Sequence, residues 1–137
     1  MVLRAWAAGL FEGEGSFSPH KNGGFFGLRA SLASTDEDVV RTFHRIVAVG
    51  TVTGPHSRGK AHLKPHWRWQ TSGADVERVY RLLEPWLHSR RRARYGELLA
   101  ERRTYEQRLP QIASARNRAG NLTRWARLRG WQKERLF

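Results

Sequence analysis

The sequence predicts an α+β domain: an antiparallel four-stranded sheet backed by helices, followed by basic C-terminal helices. Three observations carry this. Apolar residues recur at helical spacing from Leu3 to Gly13, after Asp36 and after Gly73, and they alternate with polar ones in Phe25–Ser34 and in the run PHWRWQT. Short polar, Gly and Pro clusters separate these stretches, so the order reads helix, two strands, helix, two strands, helices. The charge is uneven: residues 1–87 hold 11 Lys/Arg and 8 Asp/Glu (net +3), whereas residues 88–137 hold 14 and 4 (net +10).

The elements follow in order. Leu3, Trp6, Ala7, Leu10 and Phe11 form one apolar stripe of the first helix, while Ala5, Ala8, Gly9 and Glu12 form a second, unusually small face. Gly13 and Gly15 end it. Ser16–Ser18 reads as a strand, Pro19–Gly24 as a turn and Phe25–Ser34 as the second strand. Thr35 and Asp36 start the next helix with a hydroxyl N-cap and acids in the first turn, Val39, Val40, Phe43, Ile46 and Val47 line its apolar face, and Gly50 ends it. Thr51–Pro55 and His62–Thr71 read as strands around the loop HSRGK. Ser72 or Gly73 opens a third helix with Val76, Val79, Tyr80, Leu82 and Leu83 inward, and Pro85 interrupts it. Two basic helices are expected near 88–107 and 111–135, divided at Pro110, so the domain expectation is a core over 1–109 and an extension over 110–137.

Composition narrows the function. The 137 residues suit one domain able to bury roughly two-thirds of its unfolded surface. Without cysteine there is no disulfide, thiolate metal site or cysteine nucleophile. No apolar run approaches the roughly 20 residues of a membrane span. The start MVLRAWAAGLFEGEG turns acidic too soon for a signal peptide, so an intracellular, nucleoid-associated protein is expected. A net charge of +13 points to a polyanionic partner, nucleic acid first, and 21 of the 25 basic residues are Arg, the better bidentate donor to phosphate and guanine.

The run Ala7-Ala8-Gly9-Leu10-Phe11-Glu12-Gly13-Glu14-Gly15 resembles the signature of the LAGLIDADG homing endonucleases. Ala7 stands for the first Leu, Phe11 for the Ile, Gly13 for the second Ala, and Glu12 and Glu14 for the two Asp. The order of elements after it resembles the family's αββαββα unit, including the turn Val49 to Val52, and Leu83-Glu84-Pro85-Trp86-Leu87 resembles the run that precedes its last core helix. The resemblance covers roughly residues 3–107 and implies a saddle-shaped DNA-binding sheet. Only one copy of the motif is present, which in this family implies a homodimer joined through the motif helices. Ala5, Ala8, Gly9 and Glu12 are then the expected dimer interface, since small residues let helix backbones approach closely.

The resemblance also implies the chemistry. Glu14, just past the last helical turn, is the expected catalytic acid and metal ligand, with the Gly13 carbonyl as a further ligand and Glu12 mainly structural. Paired carboxylates suit hard divalent cations that keep several waters, here Mg²⁺, with Mn²⁺ or Ca²⁺ able to replace it in binding. Phosphodiester hydrolysis needs an activated water and a Lewis acid at the leaving oxygen. The family's lysine after the Pro-aromatic-Leu run has no counterpart; Arg90 matches it best by spacing and His88 is the other candidate. Thr35 is nearest to the family's solvent-ordering polar residue after the second strand.

Alternation along the strands predicts the DNA-reading face. With Trp67 and Trp69 toward the helices, His66, Arg68 and Gln70 face outward, and Lys64 and His62 continue the row. With Leu28, Ala30 and Leu32 inward, Arg29 and Ser31 face outward with Ala33; with Phe17 inward, Ser16, Ser18 and His20 face outward. Lys21, Asn22, Arg58 and Lys60 are expected at the two hairpin tips, within reach of outer bases or phosphates. Arg reads guanine and Gln reads adenine by bidentate hydrogen bonds.

The function expected is that of a homodimeric, Mg²⁺-dependent endonuclease cutting double-stranded DNA at a long pseudo-palindromic site and leaving short 3′ overhangs. Neither a membrane nor a small-molecule substrate is expected. The alternative is the same fold as a DNA-binding regulator or an intron-RNA maturase without cleavage; a basic RNA-packaging protein would leave the acidic motif unexplained.

Overall fold

The computed structural model of the chain describes residues 2–22, 25–57, 59 and 62–135. Helix α1 (Val2–Glu14) leads into strands β1 (Gly15–Asn22) and β2 (Phe25–Ser34). Helix α2 (Glu37–Val47), strands β3 (Thr51–His56) and β4 (His66–Ser72) and helix α3 (Ala74–Leu83) follow. A 3₁₀ turn at Glu84–Trp86 then precedes helix α4 (Ser89–Arg135). The four strands form one antiparallel sheet in the order β1-β2-β4-β3. This is the α+β plan that the sequence predicts.

The sheet buries one face. Leu28, Ala30 and Leu32 of β2 and Phe17 of β1 are buried, as is Trp69, which pairs with Leu32 across β2 and β4. Val40, Phe43 and Val47 of α2 and Val76, Val79 and Leu83 of α3 supply the helical half of the core. The rings interlock: Phe11 and Phe17 lie 4.8 Å apart, and Phe43 meets the Trp69 ring edge-on at 4.8 Å. Such pairs add about 0.5–1.5 kcal/mol beyond their buried area. Trp69 also donates its indole N–H to the Val49 carbonyl at 2.8 Å. Gly50 is required beside it: its φ is 89°, and a Cβ there would stand 2.6 Å from the indole nitrogen.

Five details differ from the sequence reading. Pro19 does not begin a turn; β1 continues through it to Asn22, because β1 is an edge strand and a missing N–H is tolerated there. The fourth strand begins at His66, not His62, since His62 and Leu63 turn and Pro65 offers no N–H to a ladder whose first pair is His56↔His66. The N-cap of α2 is Asp36, not Thr35, and it is Ser34 whose hydroxyl accepts the Asp36 N–H at 3.1 Å. Helix α2 ends at Val47 on the left-handed Ala48, before Gly50. Finally, α4 is one helix with Pro110 inside it, in place of two. A proline removes one i→i−4 hydrogen bond, and good helix formers such as Leu98, Leu99 and Glu101 before it and Gln111 after it carry the turn pattern past it.

The chain forms two compact units, Met1–Arg102 and Arg103–Phe137. Within the first, the opening turns of α4 complete the core: Tyr95 and Leu98 are buried, and the Tyr95 ring stacks on Tyr80 at 3.7 Å. The second unit is helical through Arg135 and carries nine Lys/Arg against two Asp/Glu. No helix among the described residues is long and apolar enough to cross a membrane.

Candidate active site and nucleic-acid interface

The end of α1 is built by the motif glycines and by the chain that returns to it. Gly15 is buried where β1 begins, and a Cβ there would stand 2.3 Å from the Phe11 ring, so the strand leaves the helix only over a glycine. Glu12 is turned into the domain: its carboxylate accepts the His88 main-chain N–H at 2.6 Å and its side chain is 22% exposed. Arg91 donates to the Glu12 carbonyl at 3.0 Å, and its guanidinium stands 5.9 Å from the centre of the Phe11 ring. A cation at a helix C-terminus complements the partial negative charge of its last carbonyls.

Glu14 is exposed, two residues beyond that clasp. It lines a recess of about 210 Å³ with Ala33, Ser34, Thr35 and His66. The recess thus gathers two of the predicted catalytic residues, Glu14 and Thr35, and adds His66. His66 was expected on the open sheet face; it is instead buried, 5.4 Å from the His56 ring, which in turn is hydrogen-bonded to the Thr53 hydroxyl at 2.8 Å. An extra residue in β3 between Thr53 and His56, with Gly54 at φ 145°, makes the irregularity that seats the two rings together.

The other two catalytic candidates fall outside the recess. His88 is 84% exposed and its ring nitrogen lies 3.7 Å from Glu12. Arg90 is exposed in the first turn of α4. Arg91 is the arginine of the Arg90–Arg92 run that reaches the motif. Spacing favours Arg90, but the helical phase of α4 brings Arg91 to the end of α1.

The open face of the sheet carries the predicted polar rows. Across β1 and β2, Ser16 faces Ser31 with hydroxyls 3.2 Å apart, and His20 Nδ1 lies 2.8 Å from an Arg29 terminal nitrogen. Across β2 and β4, Ser31 pairs with Gln70 and Ala33 with Arg68. β3 adds Thr51 opposite Gln70 and Thr53 opposite Arg68, two exposed hydroxyls that the sequence reading left out. Their alternation with Val52 was the available signal. Among these rows there is no acid. A polar, cationic sheet face is a surface suited to phosphates and base edges.

Several other expected DNA contacts sit elsewhere. Lys21 turns to the opposite face, its ammonium 5.4 Å from the centre of the Phe26 ring, because residue 21 has the parity of Phe17 and not of His20. His62 and Lys64 are exposed outside the strand. Ser18 and Arg29 do lie on the open face but are half-buried there. Arg58, Lys60 and the side chain of Asn22 lie outside the described residues.

The expected dimer face also needs correction. Ala8 is fully buried and Glu12 is engaged with the His88 N–H, because both lie on the side of α1 that packs into the domain. Ala5 is half-buried and Gly9 is exposed. The outward stripe of α1 is Val2 (82% exposed), Leu3 (65%) and Trp6 (42%), continued by Gly9 and Gly13. A Cβ at either glycine would meet nothing within 4 Å.

Comparison with solved structures matches this arrangement of a motif helix and a four-stranded sheet. The homing endonuclease I-CvuI in complex with its target superposes with a TM-score of 0.56 at 15% identity, covering 82% of this chain and 70% of that one. The LAGLIDADG meganuclease I-CpaMI bound to uncleaved DNA gives 0.58 at 14% identity, over 77% of this chain and 38% of that one. The chain has the LAGLIDADG homing-endonuclease fold. The homing endonuclease I-TnaI shares that fold, with a TM-score of 0.52, 12% identity and coverage of 82% and 74% of the two chains. No protein-family model matches the sequence, and no curated protein matches it.

A LAGLIDADG fold raises the question of a metal. Among the described residues no group of three His, Cys, Asp or Glu could hold one. The motif carboxylate left exposed is Glu14, with the Gly13 carbonyl next to it in sequence. That donor set fits a hard ion of the Mg²⁺ type, which keeps most of its waters and takes one or two carboxylates plus substrate phosphate oxygens. It does not fit a cation that needs a full protein cage.

Proposed function

We propose that the chain is a site-specific double-strand DNA endonuclease, active as a homodimer with a divalent cation. The observation that carries this is the place of Glu14: at the C-terminal end of a helix with an apolar outer stripe, lining a recess whose other wall is the start of the DNA-facing strand β4. Two copies packed through the stripe of Leu3, Trp6, Gly9 and Gly13 bring their Glu14 residues together at a common axis, and a two-fold protein implies a roughly two-fold target. I-CpaMI was solved bound to DNA, which supports the same partner here.

Each residue then has a task. Glu14 and the Gly13 carbonyl hold the ion, which when bound supplies Lewis acidity and a water of lowered pKa. Thr35, in the same recess, orders solvent at the phosphodiester through its hydroxyl. Arg91 and Glu12 hold the end of α1 in place. Arg29, Arg68 and Gln70 read bases, and Ser16, Ser18, Ser31, Thr51 and Thr53 contact the DNA between them.

The test uses purified protein, Mg²⁺ and a pooled DNA library, with Glu14→Gln in parallel, and sequencing of the ends produced. Recurrent paired breaks from the wild type alone, with DNA affinity retained in Glu14→Gln, are expected; Ca²⁺ should sustain binding. Sequence-selective binding without breaks in either protein would assign the chain as a DNA-binding regulator that keeps the motif as an interface.

A further inference from the structure

We infer that His20 is a positioning residue that aims Arg29 at guanine, and that it does so only in its neutral form. The inference rests on the DNA-reading function proposed above and adds a pH dependence to its specificity.

The geometry begins with register. His20 pairs with Gly27 and Ser18 with Arg29, so His20 and Arg29 are diagonal neighbours on the open face of β1 and β2. The Arg29 terminal nitrogen and His20 Nδ1 are 2.8 Å apart. A guanidinium only donates, so Nδ1 must accept, and the ring carries its single proton on Nε2. Opposite His20 stands Gly27, and the space a Cβ would take there is filled by the Phe25 ring, 2.8 Å away, a hydrocarbon edge that offers Nδ1 no competing N–H or O–H donor.

Arg29 is thereby held at the edge of a recess of about 380 Å³ that Thr51, Gln70, Ser72 and Asp75 also line. The bond to His20 uses one hydrogen of one terminal nitrogen. Whichever hydrogen it takes, one two-pronged edge of the guanidinium stays free, through either the other terminal nitrogen or Nε. A two-pronged donor edge is what reads guanine O6 and N7 in the major groove. Fixing the long side chain beforehand removes part of the ordering cost of binding.

Protonation reverses this. An imidazolium has two donors and no acceptor, and it stands beside a second cation. Among the described residues the charged groups around the ring give it no anionic partner. From β2 the neighbour is Arg29; on β1 itself Lys21 turns to the opposite face, over Phe26. Asp75 lies on the wall of the recess and pairs with Arg78 at 3.7 Å. With the ring protonated Arg29 is released, while total positive charge rises. Guanine preference then falls as non-specific affinity rises, two effects of opposite sign.

The experiment selects bound sequences from a randomised duplex library with the full-length protein at about pH 8 and about pH 5.5. It compares the wild type with Arg29→Ala, His20→Phe and His20→Gln. The wild type should favour guanine at one position per half-site by about tenfold or more at pH 8 and lose most of that at pH 5.5, while Arg29→Ala lacks it at both. His20→Phe should lack it at both as well. His20→Gln keeps a side-chain acceptor that does not titrate, so it should keep the preference at both pH values. A preference unchanged in His20→Phe, or equally pH-dependent in His20→Gln, overturns the role of His20. If the wild type enriches no sequence at either pH, the DNA-reading function itself fails, and this inference falls with it.

Discussion

The carboxylate of Glu12 accepts the main-chain N–H of His88 at 2.6 Å, fastening the last turn of α1 to the residue that precedes α4. Arg91 closes the same junction from the other side through the Glu12 carbonyl, at 3.0 Å. Between them the two contacts fix where the chain turns into β1 and therefore where Glu14 points. The first acid of the motif serves the fold; the second is left free at the recess.

Glu12→Ala should therefore destabilise the domain. A hydrogen bond to a charged acceptor contributes about 1.5–3 kcal/mol, and the loss should fall in that range. Glu12→Gln keeps a neutral acceptor oxygen and should lose less than half as much. Urea unfolding followed by circular dichroism measures both. Wild-type stability in Glu12→Ala would show that the bond contributes nothing and that α1 is held by Phe11 and its neighbours alone.

Gly9→Leu should separate association from folding. Nothing within the chain stands within 4 Å of a Cβ at Gly9, and leucine favours a helix over glycine by about 0.5–1 kcal/mol. The single domain should be as stable as before or slightly more so. The bulky side chain would nonetheless keep two α1 helices apart. Sedimentation at micromolar protein should show a wild-type dimer and a Gly9→Leu monomer with the same circular dichroism spectrum. A dimer in both would place the interface elsewhere than on α1.

Alkaline unfolding should report the Tyr80–Tyr95 stack. Burial holds both phenols above the ordinary tyrosine value, with Glu84 adding to the effect at Tyr80 and Glu77 at Tyr95. In the window above the unfolded value of about 10, the folded chain keeps a proton that the unfolded chain has released, so stability falls as pH rises through it. Tyr95→Phe removes one of the two groups and should flatten that fall, while leaving the protein near its normal stability at pH 7. Thermal unfolding between pH 8 and 11 measures it; an equal slope in both proteins would mean that the Tyr95 phenol is not held by the core.

What could be read in advance depended on how local its cause is. β2 was legible to the residue, because Leu28, Ala30 and Leu32 alternate with Arg29, Ser31 and Ala33 and one sheet face is buried. The place of Glu14 at the end of α1 was legible through the motif and the glycines around it. Pro19 was misread because its tolerance depends on β1 lying at the sheet edge, a fact of strand order and not of sequence. Ala8 was placed outward because small residues fit a helix contact equally well inside a domain or between two. His66 followed the right alternation but is buried by the β3 irregularity, which no pattern in β4 announces. Arg91 was one of three adjacent arginines, and only the packing of α4 on α1 singles it out.

Arg68 tests whether the open face reads sequence or only charge. It is exposed in the centre of β4, between Ala33 of β2 and Thr53 of β3, and no ion pair is found for it among the described residues. A guanidinium placed so is free to contact a base edge. Arg68→Ala should cost about 1–3 kcal/mol at one base pair of the preferred site and relax selection there, leaving the other positions as they were. A phosphate contact would behave differently: affinity would fall evenly across all sequences and the slope of log affinity against log salt would lessen by about one. Binding of the wild type and Arg68→Ala to a panel of single-substituted duplexes at two salt concentrations distinguishes the two. Uniform weakening would leave base reading to Arg29 and Gln70 and make Arg68 a phosphate contact of the open sheet face.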